Sequence, residues 1–230
     1  MTYKIIIASQ KKSLKDTLIY RSMVKNCINW AENVLFFGEN TNSLPYVYNE
    51  GIKIAKQTKT NIAVLVHDDV YINCSDFDKR IRECAKMFTV SGVAGNTSIT
   101  VKQPVLWHLM AERTKLRGCV AHGADEKQYM YTSYGPVPGK ALLIDGVFMI
   151  LNLDKLPDNV IFDKNCPAKF HFYDLIFSME CALNKVPVGV VDMPIVHTSP
   201  GLKTVTQEWT DGQTYFLEKY KQFSGKTLIV

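Results

Sequence analysis

Three ionisable side chains in a row, His67-Asp68-Asp69, stand directly behind the apolar run Ile62-Ala63-Val64-Leu65-Val66. An imidazole next to two carboxylates suits a divalent cation, a ribose or a phosphate. On an extended chain alternate side chains share a face, so His67 and Asp69 are expected on one side and Asp68 on the other. One side would then hold a cation while the other reaches ribose or phosphate. A local reading competes: aspartates commonly open the turn after a strand.

Three other places carry comparable chemistry. In FHFYDLIFSMECAL (170–183), His171, Asp174 and Ser178 recur at i, i+3 and i+7 and should share a helix face. An acid near a helix start is held as the carboxylate, a form able to accept a proton, although plain charge complementarity uses the same residue. In PIVHTSPG (194–201), His197 ends a strand-like run, where a neutral imidazole can ligate a metal or simply serve as a surface or core histidine. Asp145 interrupts the apolar LLIDGVFMIL (142–151), and a buried carboxylate demands either a function or a hydrogen-bond network.

The elements that must position these groups alternate. Tyr3 to Ala8 reads as a strand, and Ser13 with Asp16 has capping-box spacing ahead of Ile19, Met23 and Cys27. Asn33 to Phe37 is a second strand, Ser43 and Pro45 open a helix to about Lys56, and the strand ending at His67 follows. Ser75 and Asp78 repeat the capping spacing before an apolar stripe, and Val90 to Ala94 closes a βαβαβαβ series. Residues 96–140 read as loops with a short helix near Leu106 to Leu116, the place for an acceptor; Trp107, His108 and Arg113 are its candidates. Ala141 to Leu151 reads as a strand, Phe170 to Asn184 as a helix with core stripe Phe172, Leu175, Ile176, Met179, Ala182 and Leu183, and Val186 to Val191 as the last strand. A loop at 194–204 and a helix to about Phe223 complete the chain. The fold class is α/β: a mostly parallel central sheet with helices on both faces and a mixed C-terminal half, in one domain.

Bulk properties narrow the partners. With 27 basic and 22 acidic residues the chain carries +5 without a block of like charge, which gives nucleic acid little support and suits a diphosphate equally well. The six cysteines show no C-x-x-C spacing and read as free thiols of a reducing compartment. MTYKIIIASQ has too short an apolar run for a signal peptide and no stretch approaches a membrane span. A cytoplasmic protein is expected, with at most peripheral membrane contact.

In their order along the chain, YNEGIKIAK (48–56), HDDVYI (67–72), IDGVFMI (144–150), FHFYDLIFSMECAL (170–183) and VHTSPG (196–201) resemble the GT-A-fold, family-2-like nucleotide-sugar glycosyltransferases. The closest likeness is to a bacterial and viral subgroup, and it spans roughly residues 3 to 201. The resemblance implies a single GT-A-like domain over 1–230, with a nucleotide-binding half (1–95), an acceptor and catalytic half (96–204) and a C-terminal helix (205–230). It implies a nucleoside-diphosphate sugar donor, a glycan or other hydroxyl acceptor, and Mn²⁺ or Mg²⁺. HDD would be the DxD-type motif: Asp69 for the metal, Asp68 for ribose or diphosphate, and His67 in place of the usual first acid. Asp174 would be the base of an inverting transfer and His197 a metal or diphosphate contact. Ala8, Ser9, Glu39, Asn49 and Asp145 would line the donor site, with His171 and Trp107 toward the acceptor. The family's second acid, two residues after the base, is Ile176 here, which leaves a non-catalytic sugar-nucleotide or glycan-binding module as an alternative. A sugar nucleotidylyltransferase would want a glycine-rich loop after the first strand, and a dehydrogenase G-x-G-x-x-G; IIIASQKKSL offers neither.

Overall fold

The first half alternates as expected, because each apolar run is closed by a capping or turn residue. Strand β1 (Tyr3–Ala8) leads through α1 (Leu18–Lys25) and the single turn α2 (Trp30–Asn33) to β2 (Val34–Phe37), then α3 (Leu44–Gln57) and β3 (Ile62–Val66). In this computed structural model, residues 1–100, 106–199, 201, 204–223 and 227–229 are described. Thr17, not Ser13, caps α1; Ser13 caps a preceding 3-10 turn, so the capping box predicted there belongs to a different element. Ser43 caps α3 by accepting from the Tyr46 N–H. After β3 come β4 (Val70–Ile72), α4 (Phe77–Met87), β5 (Val90–Gly92), β6 (Ala94–Asn96) and β7 (Ser98–Thr100). Helix α4 has Asp76 as its cap residue with no capping hydrogen bond from its side chain. That carboxylate pairs with Arg80 instead, so the spacing of Ser75 and Asp78 misled.

The second half departs further from expectation. After α5 (Trp107–Met110) a long antiparallel hairpin forms from β8 (Leu116–Gly123) and β9 (Tyr129–Gly135), where loops were predicted. The alternation is hidden because β9 is largely exposed, with Tyr134 its contact with the core. Beyond β10 (Gly139–Lys140), the single strand predicted over 141–151 is two: β11 (Leu143–Ile144) and β12 (Phe148–Asn152). The break is Asp145-Gly146-Val147, where the Asp145 carboxylate accepts the Val147 N–H at 3.0 Å and turns the chain. Helix α6 (Tyr173–Leu183), β13 (Val188–Val190), β14 (Ile195–His197), α7 (Gln207–Lys219) and β15 (Thr227–Ile229) follow. Helix α6 starts after a left-handed Phe172, φ 65°, so His171 precedes the helix and does not share the face predicted with Asp174. Leu183, assigned to the core stripe, is 48% exposed, while Tyr173, Phe177 and Cys181 are buried instead. Positions 101–105, 200, 202 and 203, within the predicted acceptor and 194–204 loops, lie outside the described residues.

Two large sheets carry the molecule, and β7 pairs antiparallel with β15 in a third, two-stranded sheet. The seven-stranded sheet runs β10-β13-β5-β12-β3-β1-β2, parallel except for β12 and β10. A second sheet, β11-β6-β8-β14-β4 with β9 beside β8, stands where the two halves meet. Period-two alternation splits the central strands between two cores. Ile5, Ile7, Val64, Val66 and Ile150 face one core with α1 and α4. Ile6, Ala63, Leu65, Met149 and Leu151 face the other with α3. Both faces of β3 are therefore covered, which is why all five of its residues are buried.

Helix α3 reaches its sheet through Gly51. A Cβ there would lie 2.6 Å from the Ile6 Cγ2, and Ile6 is fully buried with nowhere to move. Alanine for glycine in a helix ordinarily gains up to about 1 kcal/mol. Gly51→Ala is instead expected to lose about 1–3 kcal/mol through overpacking, read as a lower urea midpoint at unchanged slope.

Candidate functional site

Strand β3 ends at Val66, and His67-Asp68-Asp69 form the turn into β4, closed by the Val70 N–H on the His67 carbonyl at 3.4 Å. The residues turn rather than continue the strand, yet their side chains part as alternate residues would. The Asp68 carboxylate accepts a short hydrogen bond from the Ser9 hydroxyl at the end of β1. Its carbonyl also accepts the Leu18 and Ile19 N–H groups that open α1. Asp69 turns toward β14.

Pairing of β14 with β4 puts His197 opposite Val70, and Thr198 clasps the Asp69 carbonyl with both its N–H and its hydroxyl. The His197 Nε2 then stands 3.4 Å from the Asp69 Oδ1. Both atoms are buried, and neither has a well-formed hydrogen bond. One donor atom each from His67, Asp69 and His197 lie within 4.8 Å of one another. Burial alone would raise the Asp69 pKa, but His197 and then His67 outweigh it and hold the carboxyl below its usual range. Burial and the neighbouring His197 lower the pKa of His67, leaving it a neutral imidazole with a lone pair to give. A mixed donor set of two borderline imidazoles and one hard carboxylate, two of whose buried atoms lack a hydrogen bond, fits a divalent cation. His122 on β8 pairs in register with His197, with ring centroids 5.9 Å apart, and was missed. Its only sequence signal was its place in HGADE, inside what read as a loop.

Two clefts meet at this turn. The larger, of about 300 Å³, is lined by Ala8, Ser9, Lys11, Asn40, Asp68 and Asp69 among others. Ala8 and Ser9 thus border it, whereas Glu39 does not and its left-handed backbone (φ 48°) donates to the Lys11 carbonyl. Asn49 also lies elsewhere: its amide exchanges two hydrogen bonds with the Phe162 backbone and ties α3 to that loop. Phe170 borders both clefts and was not anticipated.

The smaller cleft, of about 120 Å³, is lined by His67, Trp107, Asp145, His171 and Asp174 among others. Trp107 is buried against Tyr134, and Arg113 is exposed away from both clefts. Asp174 is held at both oxygens: Gly146 donates to Oδ2 at 2.8 Å and Leu175 to Oδ1 at 2.9 Å. Ser178 donates to the Asp174 carbonyl and accepts the Ile144 N–H, fastening α6 to β11. Burial, then the Asp145 charge, push the Asp174 pKa up to about 7 against those two N–H groups. The helix start does not hold this carboxyl as a ready anion, contrary to the expectation from position alone. Ile176 is fully buried in the core, so the position two residues on contributes packing only.

The profile of a family described as "glycosyltransferase like" matches residues 5–220. The chain belongs to this glycosyltransferase-like family. Searching curated protein sequences returned no match. Among solved structures, GalNAc-T7 with UDP, GalNAc and Mn²⁺ superposes with a TM-score of 0.58 at 8% identity, over 95% of this chain and 48% of that one. S. aureus TarS in complex with UDP superposes with a TM-score of 0.52 at 13% identity, over 97% of this chain and 73% of that one. This chain thus spans about half of the GalNAc-T7 chain, and at these identities the likeness is one of fold: the α/β, GT-A-like architecture. No helix among the described residues is long and apolar enough to cross a membrane.

The Asp174 environment has a measurable consequence. Its folded pKa, about 7, stands above that of an ordinary aspartate, so its contribution to stability is full below about pH 4 and is lost as pH rises from there through 7. Asp174→Asn removes the titration, at a constant penalty for one mismatched N–H. Denaturant unfolding at successive pH values should show wild type losing stability relative to Asp174→Asn between about pH 4 and 8; parallel curves would contradict the raised pKa.

Proposed function

We propose that the chain transfers a sugar from a nucleoside-diphosphate sugar to a hydroxyl acceptor, with inversion, using Mn²⁺ or Mg²⁺. The observation that carries the reading is the pair of buried ligand atoms without a well-formed hydrogen bond, Asp69 Oδ1 and His197 Nε2, 3.4 Å apart and beside His67, which with Asp69 lines the larger cleft. Family membership and the fold shared with UDP-bound proteins support the donor class. Residues 1–95 would form the nucleotide-binding half, 96–204 the acceptor and catalytic half and 205–230 the C-terminal part of one domain, in which α7 stops at Lys219 and β15 follows where a helix was expected throughout. The six free cysteines support action in the reducing cytoplasm.

In this reading Asp69, His197 and His67 hold the cation, which when bound supplies Lewis-acid stabilisation of the leaving diphosphate. Asp68, braced by Ser9, faces the ribose or diphosphate, with Ala8 beside it. Lys11 lines the same cleft and adds a positive charge for the phosphates. Asp174 accepts the proton of the acceptor hydroxyl in the smaller cleft, where its pKa near 7 suits a base working near neutrality. Asp145, His171 and Trp107 border that cleft and orient the sugar or acceptor. One base and direct displacement invert the anomeric centre.

Calorimetry with nucleoside diphosphates tests the cation half of the reading. Wild type should bind more tightly with Mn²⁺ than with EDTA, and Asp69→Ala should lose that difference while remaining folded; equal wild-type affinities would overturn it. Donor hydrolysis, with water as acceptor, tests catalysis. Asp174→Asn should slow nucleoside diphosphate release by about 10²-fold or more at unchanged donor affinity. A wild type that binds donor yet neither hydrolyses nor transfers it would be the binding module instead.

A further inference from the structure

Tyr173, the residue before Asp174, is buried and puts its hydroxyl 2.8 Å from the His67 Nε2. Room for that hydroxyl exists because residue 146 is a glycine. A Cβ at Gly146 would lie 2.2 Å from the Tyr173 hydroxyl oxygen and 2.5 Å from its Cζ. No side chain fits there without driving the phenol off His67. The Gly146 N–H meanwhile donates to Asp174. One glycine therefore serves two adjacent residues of α6, by its N–H and by its missing Cβ.

We propose that Tyr173, admitted by Gly146, is a positioning residue that fixes the ring and tautomer of His67 so that its Nδ1 lone pair faces the cation site. The geometry is independent of the cation reading, and the consequence for metal binding rests on it. An imidazole has two nitrogens, and a hydrogen bond at one decides what the other can do. With the Nε2–H donating to the Tyr173 oxygen, Nδ1 keeps its lone pair for a cation. With the tyrosine donating instead, Nδ1 carries the proton and His67 is lost as a ligand. Tyr173 can accept only if its own proton goes elsewhere. Tyr48 stands beside it, rings 5.7 Å apart, with a buried hydroxyl that has no other well-formed partner and whose oxygen can accept a hydrogen bond from the Tyr173 O–H. Packing of Tyr173 against Phe162 as well leaves the phenol little freedom. Partners of this outer kind typically affect metal affinity by about 10–100-fold.

The test begins with the metal-free protein. Nitrogen-15 NMR, with the His67 resonances assigned by comparison with His67→Gln, should show the Nε2–H tautomer alone in wild type. Tyr173→Phe keeps the buried ring and should yield a mixture of tautomers. Electron paramagnetic resonance of free Mn²⁺ should then show affinity for Mn²⁺ alone reduced by about 10–100-fold in Tyr173→Phe, with Gly146→Ala changing in the same direction. A loss of packing alone would lower stability without moving the tautomer. An Nδ1–H tautomer in wild type overturns the proposal, as does a Tyr173→Phe protein with unchanged tautomer and Mn²⁺ affinity within about twofold of wild type. Should wild type bind no Mn²⁺, the cation reading fails, and the tautomer still decides the role of Tyr173. Should Tyr173→Phe fail to fold, the wild-type tautomer and Gly146→Ala decide it.

Discussion

A strand buried on both faces cannot end in three ionisable residues unless the rest of the chain supplies partners for them. Strand β3 is such a strand, and its end is met from four directions. Ser9 arrives from β1 for Asp68, and Thr198 with His197 from β14 for Asp69. Tyr173 arrives from α6 for the His67 ring, and the Val147 carbonyl accepts the His67 N–H. Burial would otherwise make each of these groups costly. Those four approaches determine where β14 must run, why the chain turns at Asp145-Gly146, and how deep α6 sits.

The same environment drives two aspartates apart. Asp69, between two imidazoles, is held ionised, while Asp174, enclosed beside Asp145, is held near the point of protonation. Environments that separate like groups in this way divide labour between them: one keeps its charge, the other exchanges a proton. His67 borders both clefts and so lies between the two roles.

Much of this was legible in the sequence. Continuous apolar runs marked β1, β3 and β12, since strands covered on both faces cannot alternate. The order of the HDD strand end, the aspartate-glycine strand, the α6 aspartate and the late histidine carried the family resemblance that pointed to one site. What was not legible depended on tertiary contact. Largely exposed β9 reaches the core with little more than Tyr134, too little to pattern it, so the hairpin read as loops. A left-handed Phe172 moved His171 off the helix, which periodicity alone does not reveal. Asp174 was read from its place in the helix, but desolvation dominates its titration. Asn49 looked like a lining residue and instead satisfies the backbone at Phe162. Gly146 read only as part of an apolar strand, and its missing Cβ is what admits Tyr173.

The strand order β5-β12-β3 also bears on how the chain is made. β12 lies between two strands that precede it in the sequence, pairing antiparallel with both. As the chain leaves the ribosome, Ile62-Ala63-Val64-Leu65-Val66 is complete long before the strand that will cover its open edge. For that interval the most apolar strand of the protein presents unpaired backbone groups, the condition that favours sticking to other chains. Until β12 is synthesised, folding of the first half cannot close, and a chaperone that shields β3 over that window would govern how much of the protein reaches its native form.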